Sequence, residues 1–170
     1  MKNFRLADAN FSFKVLVSFF LIAVGIGYVF GLIHIYNDVG FSYTGIATHY
    51  RGDAMPPDFA FSRLIHLHHV HLFGLSMLFF LVGLVFSLTG LPEWFKTILL
   101  AMPFLGMFLD MTSFWLLVFV SPAFTWLGMG FGACMAFSFF LLIGRPLYEM
   151  WILPLWSRIW AAGEIPWFLR

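Results

Sequence analysis

His66-Leu67-His68-His69-Val70-His71-Leu72-Phe73-Gly74 leads without a break into an apolar run that continues to about Leu88. A run of that length is what a helix needs to cross the roughly 30 Å hydrocarbon core of a bilayer. Four of the chain's six histidines fall inside this one segment. At about 100° per residue, His68 and His71 share one helix face while His66 and His69 share another. Imidazole titrates near neutral pH and is a common ligand of transition metals and haem iron. The stretch therefore predicts a membrane helix, from about Leu64 to Leu88, with a redox or metal centre near one membrane face.

Three further crossings follow on either side of it. No formal charge lies between Lys14 and Asp38, and the run from Val15 to about Ile35 gives the first, with Gly27 and Gly31 at the spacing that lets a second helix approach closely. The turn Thr89-Gly90-Leu91-Pro92-Glu93 ends the histidine helix. The third crossing runs from about Phe95 to Val120 and contains one carboxylate, Asp110. Ser121-Pro122 breaks the chain before the fourth, Ala123 to about Ile143, where Gly128, Gly132 and Ala136 form a stripe of small residues. Residues 37–63 read as the only sizeable loop. After Gly144-Arg145-Pro146, a tail with Trp151, Trp156, Trp160 and Trp167 among Glu149, Arg158, Glu164 and Arg170 is expected to lie along the membrane interface, since tryptophan favours the headgroup level and Pro154 and Pro166 interrupt the run. The expected architecture is an all-α polytopic membrane protein of four transmembrane helices with an interfacial C-terminal segment, one membrane domain over residues 1–170.

Composition agrees: of 170 residues, 62% are hydrophobic and 10% charged, which rules out an ordinary soluble domain. Nucleic acid is not an expected partner. The single cysteine, Cys134, excludes an internal disulfide and any CxxC or CxxCH motif. The N-terminal run lacks a small-residue cleavage site and reads as a retained helix. Lys2, Arg5, Lys14, Lys96, Arg145, Arg158 and Arg170 fall on one side of four crossings and only Arg51 and Arg63 on the other. That bias places both termini in the cytoplasm of a bacterial inner membrane, with the loop and the histidine cluster outward.

The chemistry is expected at that outward side. His34 ends the first crossing at the face where the second begins, so His34, His68, His69 and His71 are candidate cofactor ligands, and His66, His68, His69, His71 and Asp110 candidate metal-site residues. His49, in Thr48-His49-Tyr50-Arg51-Gly52-Asp53, belongs either to solvent or folded back onto the cluster. A carboxylate in hydrocarbon costs at least about 2.5–3.5 kcal/mol, so Asp110 is expected to face the bundle, paired with a histidine or with Ser113. An acid bonded to one imidazole nitrogen orients the ring and makes the other a better ligand. No HExxH is present, and no catalytic residue is assigned. A b-type haem between His34 and His68 or His71 is the simplest arrangement the chain allows by itself, although nothing in the spacing separates haem from copper, zinc or a quinone-binding histidine.

His69-Val70-His71-Leu72-Phe73-Gly74, Leu91-Pro92 with Lys96, Pro103-Phe104, Leu109-Asp110 and Ser113-Phe114-Trp115-Leu116 together resemble a poorly characterised family of bacterial four-helix membrane proteins, over most of the chain from Gly27 onward. Some members carry a CxxCH haem-attachment insertion between the first two helices, which implies electron transfer. The resemblance singles out His69, His71 and Asp110, while the missing CxxCH removes a covalently attached c-type haem. The expected function is a membrane subunit of a respiratory or oxidase-type complex that binds haem b or a transition metal, with other membrane subunits, lipid, and a quinone or periplasmic cytochrome as partners. The alternatives are a cofactor-free structural accessory subunit and an ion or proton transporter.

Overall fold

A computed structural model of the chain describes residues 6–51 and 57–156, with side chains for all of these except 57–59. The described residues form five α-helices: α1 (Phe11–Val39), α2 (Tyr43–Arg51), α3 (Pro57–Ser87), α4 (Glu93–Phe119) and α5 (Thr125–Leu147). A short 3₁₀ turn, Leu6–Asp8, precedes α1. All but α2 are long and apolar enough to cross a membrane. The chain is an all-α, multi-pass membrane protein.

Local chemistry sets most helix boundaries. The Asn10 side chain accepts a hydrogen bond from the Phe13 amide at 2.9 Å and starts α1, satisfying one donor that the first turn leaves free. Gly40, at φ 62°, ends it. Ser121 accepts from the Ala123 amide at 3.3 Å and sets the tight link from α4 to α5.

Two expectations about boundaries change. Residues 37–63 are not one loop: they contain α2 and the first turns of α3, so His71 sits about 14 residues, roughly 21 Å, along its helix. The signal for α2 was available in Tyr43, Ile46, Ala47 and Tyr50 at helical spacing behind Ser42, whose hydroxyl accepts from the Gly45 amide. The chain also does not leave the bundle at Gly144-Arg145-Pro146. It runs helically through Pro146, passes through a π-helical turn at Tyr148–Ile152 and stays helical to Trp156. Proline removes one backbone donor and crowds the preceding turn, and a wider turn just beyond it takes up the mismatch. Trp151 then donates from Nε1 to Ser18 Oγ at 2.8 Å and packs edge-on against Phe11, which ties this end of the helix to α1. The rest of the predicted interfacial tail, including Trp160, Trp167, Arg158 and Arg170, lies outside the described residues.

The packing divides by depth. The apolar core gathers in the half away from α2: Val17 and Leu21 of α1, Phe79, Val82 and Phe86 of α3, Leu99 and Met107 of α4, and Phe139, Leu142 and Ile143 of α5. The other half is joined instead by rings and polar contacts, among them Tyr43 on Trp126 and Tyr50 on Phe114. α4 and α5 come closest. A Cβ on Gly106 would lie 3.1 Å from Met135 Cβ and 3.3 Å from the Phe131 carbonyl oxygen, so the α4 backbone rests directly on α5.

Candidate functional site

Helical periodicity puts Leu64, His68, His71, Leu75, Phe79 and Val82 on one face of α3, the face that packs into the bundle. Leu64, Phe79 and Val82 are buried and His68 is half-buried, but His71 on that same face is exposed. A Cβ on the neighbouring Gly74 would meet nothing within 4 Å. The surface of α3 is therefore uncovered beside His71.

The His71 ring is already oriented. Its Nδ1–H donates to the Leu67 carbonyl at 2.8 Å, which leaves the Nε2 lone pair free and pointing away from its own helix. His68 differs: Nδ1 lies 2.6 Å from the Leu64 carbonyl and Nε2 3.0 Å from the Met111 carbonyl of α4. Both of its nitrogens face acceptors, so His68 as placed joins α3 to α4 and has none left for ligation. Its ring lies 5.7 Å from that of Trp115. His66 and His69 are exposed on the other face, His69 edge-on to Phe73.

His34 does not converge with these. It forms an i,i+4 pair with Asp38 at 3.5 Å and is 76% exposed. By periodicity it lies about 120° round α1 from the side that buries Val17 and Leu21. Among the described residues, no three histidine, cysteine, aspartate or glutamate side chains gather to hold a metal ion.

Asp110 occupies the centre of the bundle-facing side of α4. Its Oδ1 is 3.6 Å from where a Cβ on Gly132 would stand and 3.7 Å from that of Gly128, so the small-residue stripe of α5 makes room for the carboxylate. Ser113 donates to the backbone carbonyl of Asp110 at 2.6 Å, not to its side chain. Among the described residues, the carboxylate takes no hydrogen bond or ion pair, and the expected histidine contact is absent. The nearest approach is one residue away, where His68 reaches Met111 O. Counting from Arg63 and Ser87 on α3, and from Lys96 and Val120 on α4, His71 is about 6 Å and Asp110 about 3 Å from mid-span, both toward the α2 side. An exposed imidazole and an unpaired acid thus share one depth.

Above them sits a cluster the sequence reading missed. Arg63 of α3 donates to His49 Nε2 and, at 3.5 Å, to the His49 carbonyl, and its guanidinium lies 5.4 Å from the centre of the Tyr50 ring. Arg51 donates to the Leu117 carbonyl of α4 at 3.2 Å. His49 is neither loose in solvent nor folded onto the other histidines. Burial, then the adjacent Arg63, push its pKa below the usual histidine value, and Asp38 opposes them. Burial pushes the Tyr50 phenol up.

Fold and site together define a multi-pass helical membrane protein with an exposed intramembrane imidazole and an acid that is unpaired among the described residues. The chain belongs to the family described as the Aq_1264_TM transmembrane helical domain, which matches residues 40–155 and so covers α2 through α5. No curated protein and no solved structure matches it.

Proposed function

We propose that this chain is a cofactor-binding subunit of an inner-membrane electron-transfer complex, with His71 as its ligand. The carrying observation is the exposed His71 ring, held by the Leu67 carbonyl, with Nε2 free of any hydrogen bond among the described residues. An imidazole exposed so near mid-membrane is expensive against lipid alone, which makes a bound group or a partner the expected cover. A single free imidazole suits a haem, which His71 would hold, with Gly74 leaving space beside the ring. It does not suit a compact zinc or copper ion, which needs three or four converging side chains. Haem b bound here would supply one-electron transfer. His34 is exposed and paired with Asp38, so among the histidines of this chain His71 is the one that would hold the group. The basic-residue bias puts this centre in the outward half of the membrane, within reach of a quinone or a periplasmic cytochrome.

The complex purified from its own membranes is expected to show a haem absorption band that His71→Ala removes and His34→Ala leaves. Gly74→Leu, whose side chain enters open space, is expected to keep the fold and lower haem content. An intact protein with neither haem nor stoichiometric metal overturns the reading.

A specific observation favours one alternative, the cofactor-free structural subunit. Gly27 and Gly31 of α1 meet nothing within 4 Å, and an apolar groove of about 330 Å³ runs between α1 and α5 along Leu21, Gly25, Val29, Phe140 and Ile143. In that reading α1 docks a neighbouring helix, and His71→Ala leaves the parent complex fully active.

A further inference from the structure

We propose that α2 is an acid-released cap, locked over the ends of α4 and α5 by the hydrogen bond from Arg63 to His49. The inference does not depend on a cofactor at His71.

The helix is held by few contacts. None of its residues is fully buried. Its attachments include Tyr43 stacked on Trp126 at 5.4 Å, Tyr50 against Phe114 at 4.6 Å, Arg51 on the Leu117 carbonyl, and the Arg63 lock. At its start, Gly40 with its positive φ supplies a turn about which a short helix can swing.

The lock works in one protonation state. A guanidinium can only donate, so His49 Nε2 facing Arg63 must accept, and the ring is neutral with its proton on Nδ1. Adding a proton to Nε2 replaces the acceptor with a donor and sets two cations face to face. The charged and titratable groups around the ring are Arg63 on α3, Asp38 at the end of α1, and Tyr50 and Arg51 on α2 itself. From α4 and α5, Phe114, Leu117 and Trp126 pack on α2 and do not titrate, while the Asp110 carboxylate of α4 acts on the Tyr50 phenol. Asp38 favours the protonated ring, but burial and Arg63 outweigh it.

The sign follows. A histidine whose pKa is lower docked than free favours docking above its free value of about 6.5, and the advantage is lost as pH falls through the docked value. Over that window the undocked population rises by up to about tenfold per pH unit. Release uncovers Phe114 and the α3–α4 seam where Trp115 packs on His68, so acid on this side of the membrane would open the bundle toward its polar interior.

Hydrogen exchange over residues 43–51 of the full-length protein in lipid nanodiscs, followed from pH 8 to pH 5 and corrected for intrinsic exchange, tests this. Protection in the wild type is expected to fall below about pH 6.5. In His49→Gln, whose amide oxygen can accept from Arg63 but does not titrate, protection is expected to be flat with pH. Arg63→Gln should leave α2 weakly protected throughout. The slope decides rather than the absolute level, so a weakened but pH-flat His49→Gln still supports the lock. A flat wild-type profile, or an unchanged slope in His49→Gln, overturns it.

Discussion

Glu149→Ala is expected to lower the melting temperature of the detergent-solubilised protein by roughly 5–15 °C. Glu149 is only 3% exposed and closes the end of the bundle away from α2. Its two carboxylate oxygens accept from the Gly90 amide at 2.7 and 3.1 Å, and Arg145 Nε lies 3.9 Å away. That Nε is buried with no hydrogen bond of its own, so the carboxylate is its electrostatic partner. Truncation leaves the Gly90 donor and the Arg145 charge uncompensated together, a loss of about 2–4 kcal/mol. Arg145 is one-third exposed, which keeps the estimate at the lower end of what a fully buried pair would give. Glu149→Gln, which still accepts from Gly90, should lose about half as much. A melting temperature within about 1 °C of wild type for Glu149→Ala would show that the latch contributes nothing. A Cβ on Gly90 would stand 2.8 Å from Glu149 Oε1, so a larger residue there would push the carboxylate off its place.

Gly106→Leu is expected to prevent accumulation of folded protein. Its new side chain would meet Met135 Cβ and Cα at 3.1 and 3.4 Å and the Phe131 carbonyl oxygen at 3.3 Å, and backbone atoms cannot move aside as a flexible side-chain end can. Overpacking typically costs about 1–3 kcal/mol. Here it also separates α4 from α5 where Asp110 and Ser113 face Gly132 and Gly128, so the loss should reach the upper end or beyond. Gly130→Leu is the control, since a Cβ there meets nothing within 4 Å and the position is exposed. Size-exclusion profiles and membrane yields of the two variants check the prediction; equal yields would mean that close approach at Gly106 is dispensable.

Neither Glu149 nor Gly106 stood out in the sequence, while Gly128 and Gly132 did. A stripe at four-residue spacing declares itself locally, and the structure gives it a role in making room for Asp110. Gly106 is a single glycine in an apolar run, and only its neighbour on another helix gives it meaning. Glu149 follows Arg145 by four residues, but its principal partner is the backbone amide of Gly90, 59 residues away. The histidines divide in the same manner. Their sorting into a 68/71 face and a 66/69 face follows from 3.6-residue periodicity. That His68 spends both nitrogens on carbonyls, whereas His71 keeps one free, depends on how α4 packs.

By itself, the sequence determined that this chain has four helices fit to cross a membrane, roughly where they fall, though not how early α3 begins or how far the last one runs, and which residues could carry chemistry. Those follow from the transfer free energy of apolar segments and the fixed pitch of a helix, both of which add up along the chain. Only the tertiary structure decided that His34 pairs with Asp38 and does not meet the other histidines, that Asp110 has room but no partner among the described residues, that Arg63 holds His49, and that His71 stays exposed. Each of these is set by the rotation and spacing of helices against one another, and in lipid those depend on side-chain fit and hydrogen bonds between residues far apart in the chain.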